Sequence, residues 1–169
     1  MLGDIGRIGW LVMASTRHLP LVILVLLLVI SNAFWAYAYF TSIQRRDDAL
    51  REGSTTLAII LANIGALLKE AAAKDQGEYL GVAYMLTDHA LLVAQTLDKL
   101  SDNGWTRDVV NAVASLHDLL ASTYQGYTIG RSKLMEVGNA LEKLAGALRN
   151  LDIESIERYS QMLETSVSP

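Results

Sequence analysis

Apolar positions along this chain fall into two regimes: one unbroken run near the N-terminus, then a series of periodic stripes. The run is Leu19 to Phe40, LPLVILVLLLVISNAFWAYAYF, 22 residues without a charge. At about 1.5 Å per residue a helix of this length reaches across a hydrocarbon core of roughly 30 Å, so the run predicts a transmembrane helix. Its far end carries Trp35, Tyr37, Tyr39 and Phe40, the aromatic belt expected where lipid meets water. Arg45 and Arg46 follow, with side chains long enough to reach lipid head groups. Ahead of the run, Ile5, Ile8, Leu11 and Val12 mix with Asp4 and Arg7 around Trp10. Residues 1–18 therefore read as a short segment with the pattern of an interfacial helix.

From Leu50 onward the apolar period becomes that of a helix. Leu50, Leu57, Leu61, Ile64, Leu68 and Ala71 form a near-heptad stripe of the coiled-coil kind over residues 47–75. Within it Gly53-Ser54-Thr55-Thr56 either separates this helix from the membrane helix or lies inside one continuous helix. The uncharged piece from Thr55 to Leu68 is 14 residues long between Glu52 and Lys69, short for a second crossing, and reads as a core helix. Asp75-Gln76-Gly77 makes a turn. A second helix follows with its stripe at Tyr79, Ala83, Leu86, Ala90, Val93, Leu97 and Leu100. Asp102-Asn103-Gly104 is the next turn, after which Thr106 is placed to cap a third helix, with Trp105 and Val110 as its hydrophobic staple. That helix continues through Val109, Val113, Leu116, Leu120 and Tyr124 to a break at residues 125–130. A fourth helix has strict spacing at Leu134, Val137, Leu141, Leu144 and Leu148 and ends at Asn150. Asp152 caps a last short one, with Leu151 and Ile156 at staple positions and Leu163 in its stripe. Proline occurs only at positions 20 and 169, so nothing interrupts these segments. The expected fold is all-α: a single N-terminal transmembrane helix followed by an up-and-down helical bundle of four to five helices. The expected domains are a segment 1–18, a transmembrane helix 19–40 and a soluble helical-bundle domain 41–169.

Charge narrows the partners. Residues 41–169 hold twelve Lys/Arg against seventeen Asp/Glu, so the soluble part stands near -5 and offers no footprint for nucleic acid. The absence of cysteine removes disulfides, thiolate nucleophiles and cysteine-ligated metals together. There is no Gly-x-Ser-x-Gly and no phosphate loop, and the Asp47-Asp48 pair is juxtamembrane charge with no cleft implied around it. Two His/Asp neighbours, Asp88-His89 and His117-Asp118, would approach each other if the second and third helices pack antiparallel. No i, i+3 or i, i+4 ligand spacing accompanies them, and they read as boundary residues. Neither an enzyme nor a cofactor is expected.

The features that suggest interaction are small or polar residues on helix faces. Ala58, Ala62 and Ala66 fall at i, i+4, i+8 with Gly65 beside them, a ridge that lets another helix approach closely. Gly138 and Gly146 mark a similar ridge on the fourth helix. Such ridges serve internal packing or a subunit interface. Ser31 and Asn32 lie inside the apolar run, where polar side chains bond to a partner helix. The expected function is a non-catalytic membrane-anchored helical module, in contact with the lipid bilayer, that assembles with itself or as a subunit of a larger membrane complex. The alternatives are a single-pass sensor binding a small ligand between its helices and a secreted helical protein released by cleavage after Ala36-Tyr37-Ala38. Arg7 and Arg17 precede the span and Arg45, Arg46 and Arg51 follow it, nearly a tie. A short basic N-terminus ahead of a single span is the layout of an anchor that exports the rest, so the soluble domain is expected to be extracytoplasmic.

Overall fold

In a computed structural model, backbone is described for residues 4–74, 77–101 and 104–167; side-chain surroundings are described from residue 24, leaving out 25 and 124. Among the described residues the chain is helical throughout, with five helices: α1 (Asp4–Lys74), α2 (Gly77–Leu100), α3 (Gly104–Tyr124), α4 (Arg131–Asn150) and α5 (Ile153–Val167). It divides into two units, Met1–Arg45 and Arg46–Pro169.

The first unit is the N-terminal part of α1. Residues 4–18 are helical, and their backbone continues through Pro20 into the apolar run. Side chains of the expected interfacial pattern around Trp10 lie outside the described residues.

The second unit contains the rest of α1 and the other four helices. Gly53-Ser54-Thr55-Thr56 does not break α1. Thr55 and Thr56 turn their hydroxyls back to donate to the carbonyls of Arg51 and Glu52, at 2.9 and 3.0 Å, so the helix absorbs them. The piece from Thr55 to Leu68 is a core helix: Leu57, Leu61, Ile64 and Leu68 are all completely buried.

Each helix packs against two neighbours in the order α1, α2, α3, α5, α4 and back to α1. Neighbours run antiparallel except α3 and α5, whose last turns, at Ser122 and Val167, lie at the same end of the bundle. Asp98 near the end of α2 accepts a hydrogen bond from Thr106 near the start of α3 at 2.8 Å, while Asp88 meets His117 at mid-helix. Ser166 near the end of α5 donates to Glu136 near the start of α4 at 3.0 Å. The last turn of α1 (Ala71), the first of α2 (Gly77, Leu80), the last of α3 (Thr123) and the first of α4 (Arg131, Leu134) share one end of the bundle. The stripes expected on α1, α3 and α4 point inward, and Val109, Val113, Leu116, Leu120, Leu134, Val137, Leu141, Leu144 and Leu148 are buried.

Two local readings need correction. Thr106 is not an N-cap, since α3 already starts at Gly104; its hydroxyl ties α3 to Asp98 of α2 instead. On α2 the line facing the core is Ala83, Thr87, Ala90, Ala94 and Leu97, while Tyr79, Leu86, Val93 and Leu100 of the expected stripe are only half-buried. The expected turns at 75–77 and 102–104 have their first two residues outside the described ones.

Helix ends follow ordinary capping chemistry. Gly126 takes φ +89°, and behind it Tyr127 N–H donates to Ser122 O and Gly126 N–H to Thr123 O, closing α3 with a left-handed cap. α4 ends the same way, but the left-handed position is occupied by Leu151 at φ 51°. A Cβ in that region costs about 1–2 kcal/mol. Asp152 then caps α5, its carboxylate accepting from the Ser155 N–H at 3.3 Å; those Ser155 hydrogen bonds hold the carboxyl below the usual carboxylate range.

Candidate functional site

Three features stand out from the packed core. The first is the surface of α1 between Leu24 and Phe40. Every large apolar side chain described there is more than half exposed, from 54 % at Leu26 to 72 % at Tyr37. Five consecutive residues, Leu26 to Ile30, are exposed, and at 100° per residue they cover the whole circumference. A helix lying on a core would hide one stripe; this one hides none. The aromatics Phe34–Trp35 and Tyr39–Phe40 stand edge to face at 6.4 and 6.3 Å between ring centres, at the end adjoining Arg45 and Arg46. Among the described residues α1 is the one helix long and apolar enough to cross a membrane. Ser31 and Asn32 are both exposed on this segment.

The second feature is the alanine and glycine ridge of α1 in the bundle. Its three alanines do not share one surface. Ala58 is completely buried, Ala62 is half-buried against the core, and Ala66 is exposed. Close approach occurs one residue away, at Gly65, which meets Gly138 of α4. A Cβ at Gly65 would stand 2.9 Å from the Gly138 carbonyl oxygen, and one at Gly138 would stand 2.9 Å from that of Gly65. Lys69 and Glu142 form an ion pair of 2.6 Å beside this crossing. The ridge is thus used inside the chain, between α1 and α4, while nothing lies against the other α4 ridge position, Gly146.

The third feature is polar. His117 on α3 sets its Nε2 3.0 Å from Asp88 of α2 and its Nδ1 3.5 Å from Asp118, with its ring 5.0 Å from that of Tyr84. The two histidines do not meet: His89 is exposed, with Nδ1 3.2 Å from the Met85 carbonyl oxygen. One imidazole against two solvent-facing carboxylates can clamp α2 to α3, and among the described residues no three His, Asp or Glu are grouped to hold a metal ion. The pairing arises because Asp88 and His117 occupy matching heights on antiparallel helices, which their neighbours in sequence obscure. Near the bundle end where α1 finishes, a cavity of about 360 Å³ is bordered by Leu80, Thr123, Tyr127, Ile129 and Arg131.

No protein-family model, curated protein or solved structure matches this chain.

Proposed function

We propose that the chain is a non-catalytic, membrane-anchored helical module that assembles with itself or as a subunit of a larger membrane complex. The observation that carries this reading is the all-round exposure of apolar side chains from Leu24 to Phe40, next to a unit that has its own buried core. At about 25 cal/mol per Å² of apolar surface, leaving such a stretch in water is strongly unfavourable, and lipid removes the cost without a protein partner. The bundle lies on the extracytoplasmic side in this reading, behind a short N-terminus carrying Arg7 and Arg17. Of the small and polar positions suited to helix contacts, Ser31 and Asn32 in the span and Ala66 in the bundle are open to a partner, while Ala58 is turned inward.

The full chain should stay in the membrane pellet through an alkaline carbonate wash and keep its first residues in the mature mass. Release into the supernatant, or a mature chain beginning near Tyr39, would overturn the anchor and favour a secreted protein. In sealed vesicles of known sidedness, protease access to the bundle settles its orientation.

A second reading, a sensor for a small ligand, draws on the cavity bordered by Thr123, Tyr127 and Arg131. A ligand held there would bridge the ends of four helices and raise the melting temperature of the bundle.

A further inference from the structure

The cavity at the end of the bundle where α1 finishes has a wall of mixed chemistry. Its apolar part includes Leu80, Ile129 and Leu134, the last two belonging to the buried core. α2 borders the space with two glycines one turn apart, Gly77 and Gly81, and a Cβ added at Gly77 would meet nothing within 4 Å. No packing contact therefore requires a glycine at 77, and the missing side chain leaves the space open. The polar part of the wall includes Thr123, Thr128 and Arg131, and among the described residues Arg131 is the one charged side chain on it. At about 360 Å³ the cavity lies at the small end of the roughly 300–1,000 Å³ usual for ligand pockets.

We propose that this cavity binds a small organic carboxylate, with its acid group on Arg131 and its apolar body against Leu80, Ile129 and Leu134. This deepens the second reading above, that of a sensor, and rests on it. The wall selects the ligand class. A guanidinium presents parallel N–H groups that match the two oxygens of a carboxylate, and charge-assisted bonds of this kind are about twice as strong as neutral ones. One base balances one negative charge; a phosphate monoester carries close to two. An ammonium group would be repelled by the guanidinium, and a neutral amide of the same shape gains no ion pair. The hydroxyls place the acid group within the cavity. Thr123 donates its hydrogen to the Leu120 carbonyl oxygen at 2.6 Å, so towards the cavity it can only accept. Thr128 stands three residues before Arg131 on the exposed side, with a hydroxyl to donate. The carboxylate therefore belongs at Arg131 and Thr128, away from Thr123, and the apolar body fills the space that the glycines leave.

Scanning calorimetry of the full-length protein in detergent, at constant ionic strength, compares probes that share one body: benzoate, benzamide, benzylamine and phenyl phosphate. Benzoate at ten times its Kd should raise the melting temperature of the bundle by roughly 4–7 °C, and the other three should raise it less. Arg131→Met keeps the stem and removes the charge, and should abolish the benzoate shift. Arg131→Lys keeps the charge without the fork, and should weaken binding about tenfold. Gly77→Leu puts a side chain into the open space, and should also remove the shift while the chain still melts cooperatively. An equal or larger shift from benzamide or phenyl phosphate would overturn the proposal, as would a full benzoate shift in Arg131→Met. Protection by benzamide or benzylamine without benzoate sinks the carboxylate and leaves the sensor reading standing. No protection by any of the four removes the sensor reading as well. The carbonate wash is independent of all of these outcomes.

Discussion

Replacing Leu141 with alanine should lower the unfolding free energy of the bundle by about 2–5 kcal/mol, and Leu116→Ala by a similar amount. Both side chains are completely buried at the centre of their stripes, Leu141 on α4 and Leu116 on α3. Truncation loses the transfer energy of the removed atoms and leaves a cavity that helices held on two sides cannot fully close. Domains of this size have only about 5–15 kcal/mol in total, so either change takes a large share. Denaturant unfolding of the full chain, followed by helical circular dichroism, measures the loss. Met135→Ala, on the exposed side of α4 at 42 %, is the control, expected to lie within roughly 0.5 kcal/mol of the parent. Equal behaviour of Leu141→Ala and Met135→Ala would mean that the α4 stripe does not face the core.

A valine at Gly65 or at Gly138 should be at least as damaging by the opposite route. At these two positions an added Cβ would meet a backbone carbonyl oxygen at 2.9 Å, and at Gly138 also the Lys69 Cγ at 3.0 Å. A carbonyl fixed in a helix cannot rotate away, so α1 and α4 must separate, and overpacking of this sort costs roughly 1–3 kcal/mol, more when it propagates along both helices. Gly53 differs. Its nearest neighbour would be the Leu97 side-chain terminus at 2.6 Å, which can change rotamer. Gly146 differs further, because nothing lies within 4 Å of its added Cβ, so Gly146→Ala should stabilise α4 by about 0.8–1.0 kcal/mol. Melting temperatures of the valine and alanine variants separate these cases. A Gly138→Val variant as stable as the parent would show that the two helices do not cross at contact distance.

The α4 stripe was legible because its inward positions are large and regularly spaced, with polar residues between them. On α2 the same reasoning found the right side but not its centre: Ala83, Ala90 and Leu97 of the expected stripe are buried, while Tyr79, Leu86 and Val93 are half-buried against the edge of the core. On α2 most of the large apolar residues flank a buried line that is made chiefly of alanine. The continuity of α1 through Gly53-Ser54-Thr55-Thr56 could only be left open, since these residues weaken a helix in isolation; in the bundle, Leu57, Ala58 and Leu61 are buried immediately after them. The Ala58, Ala62, Ala66 ridge marked the right helix for close packing. The point of contact at Gly65 and Gly138 could not be found without knowing that α1 and α4 are neighbours. The His117–Asp88 pair was hidden for a related reason, being a match between heights on two helices that no spacing within either one records.

The alanine line of α2 has a consequence for the order in which the bundle comes apart. α4 fully buries Leu134, Val137, Leu141, Leu144 and Leu148 among its inward positions, whereas α2 fully buries one leucine, Leu97, with alanines and Thr87, and sets its other large apolar residues only partly against the core. Burial of apolar area sets how firmly a segment is held, and segments with few buried contacts open at the lowest free energies. α2 should therefore loosen before α4 in a lone chain, with its amides exchanging with solvent ahead of those in α4. A partner laid over its outer face would also latch it shut, so that binding there and local rigidity would rise together.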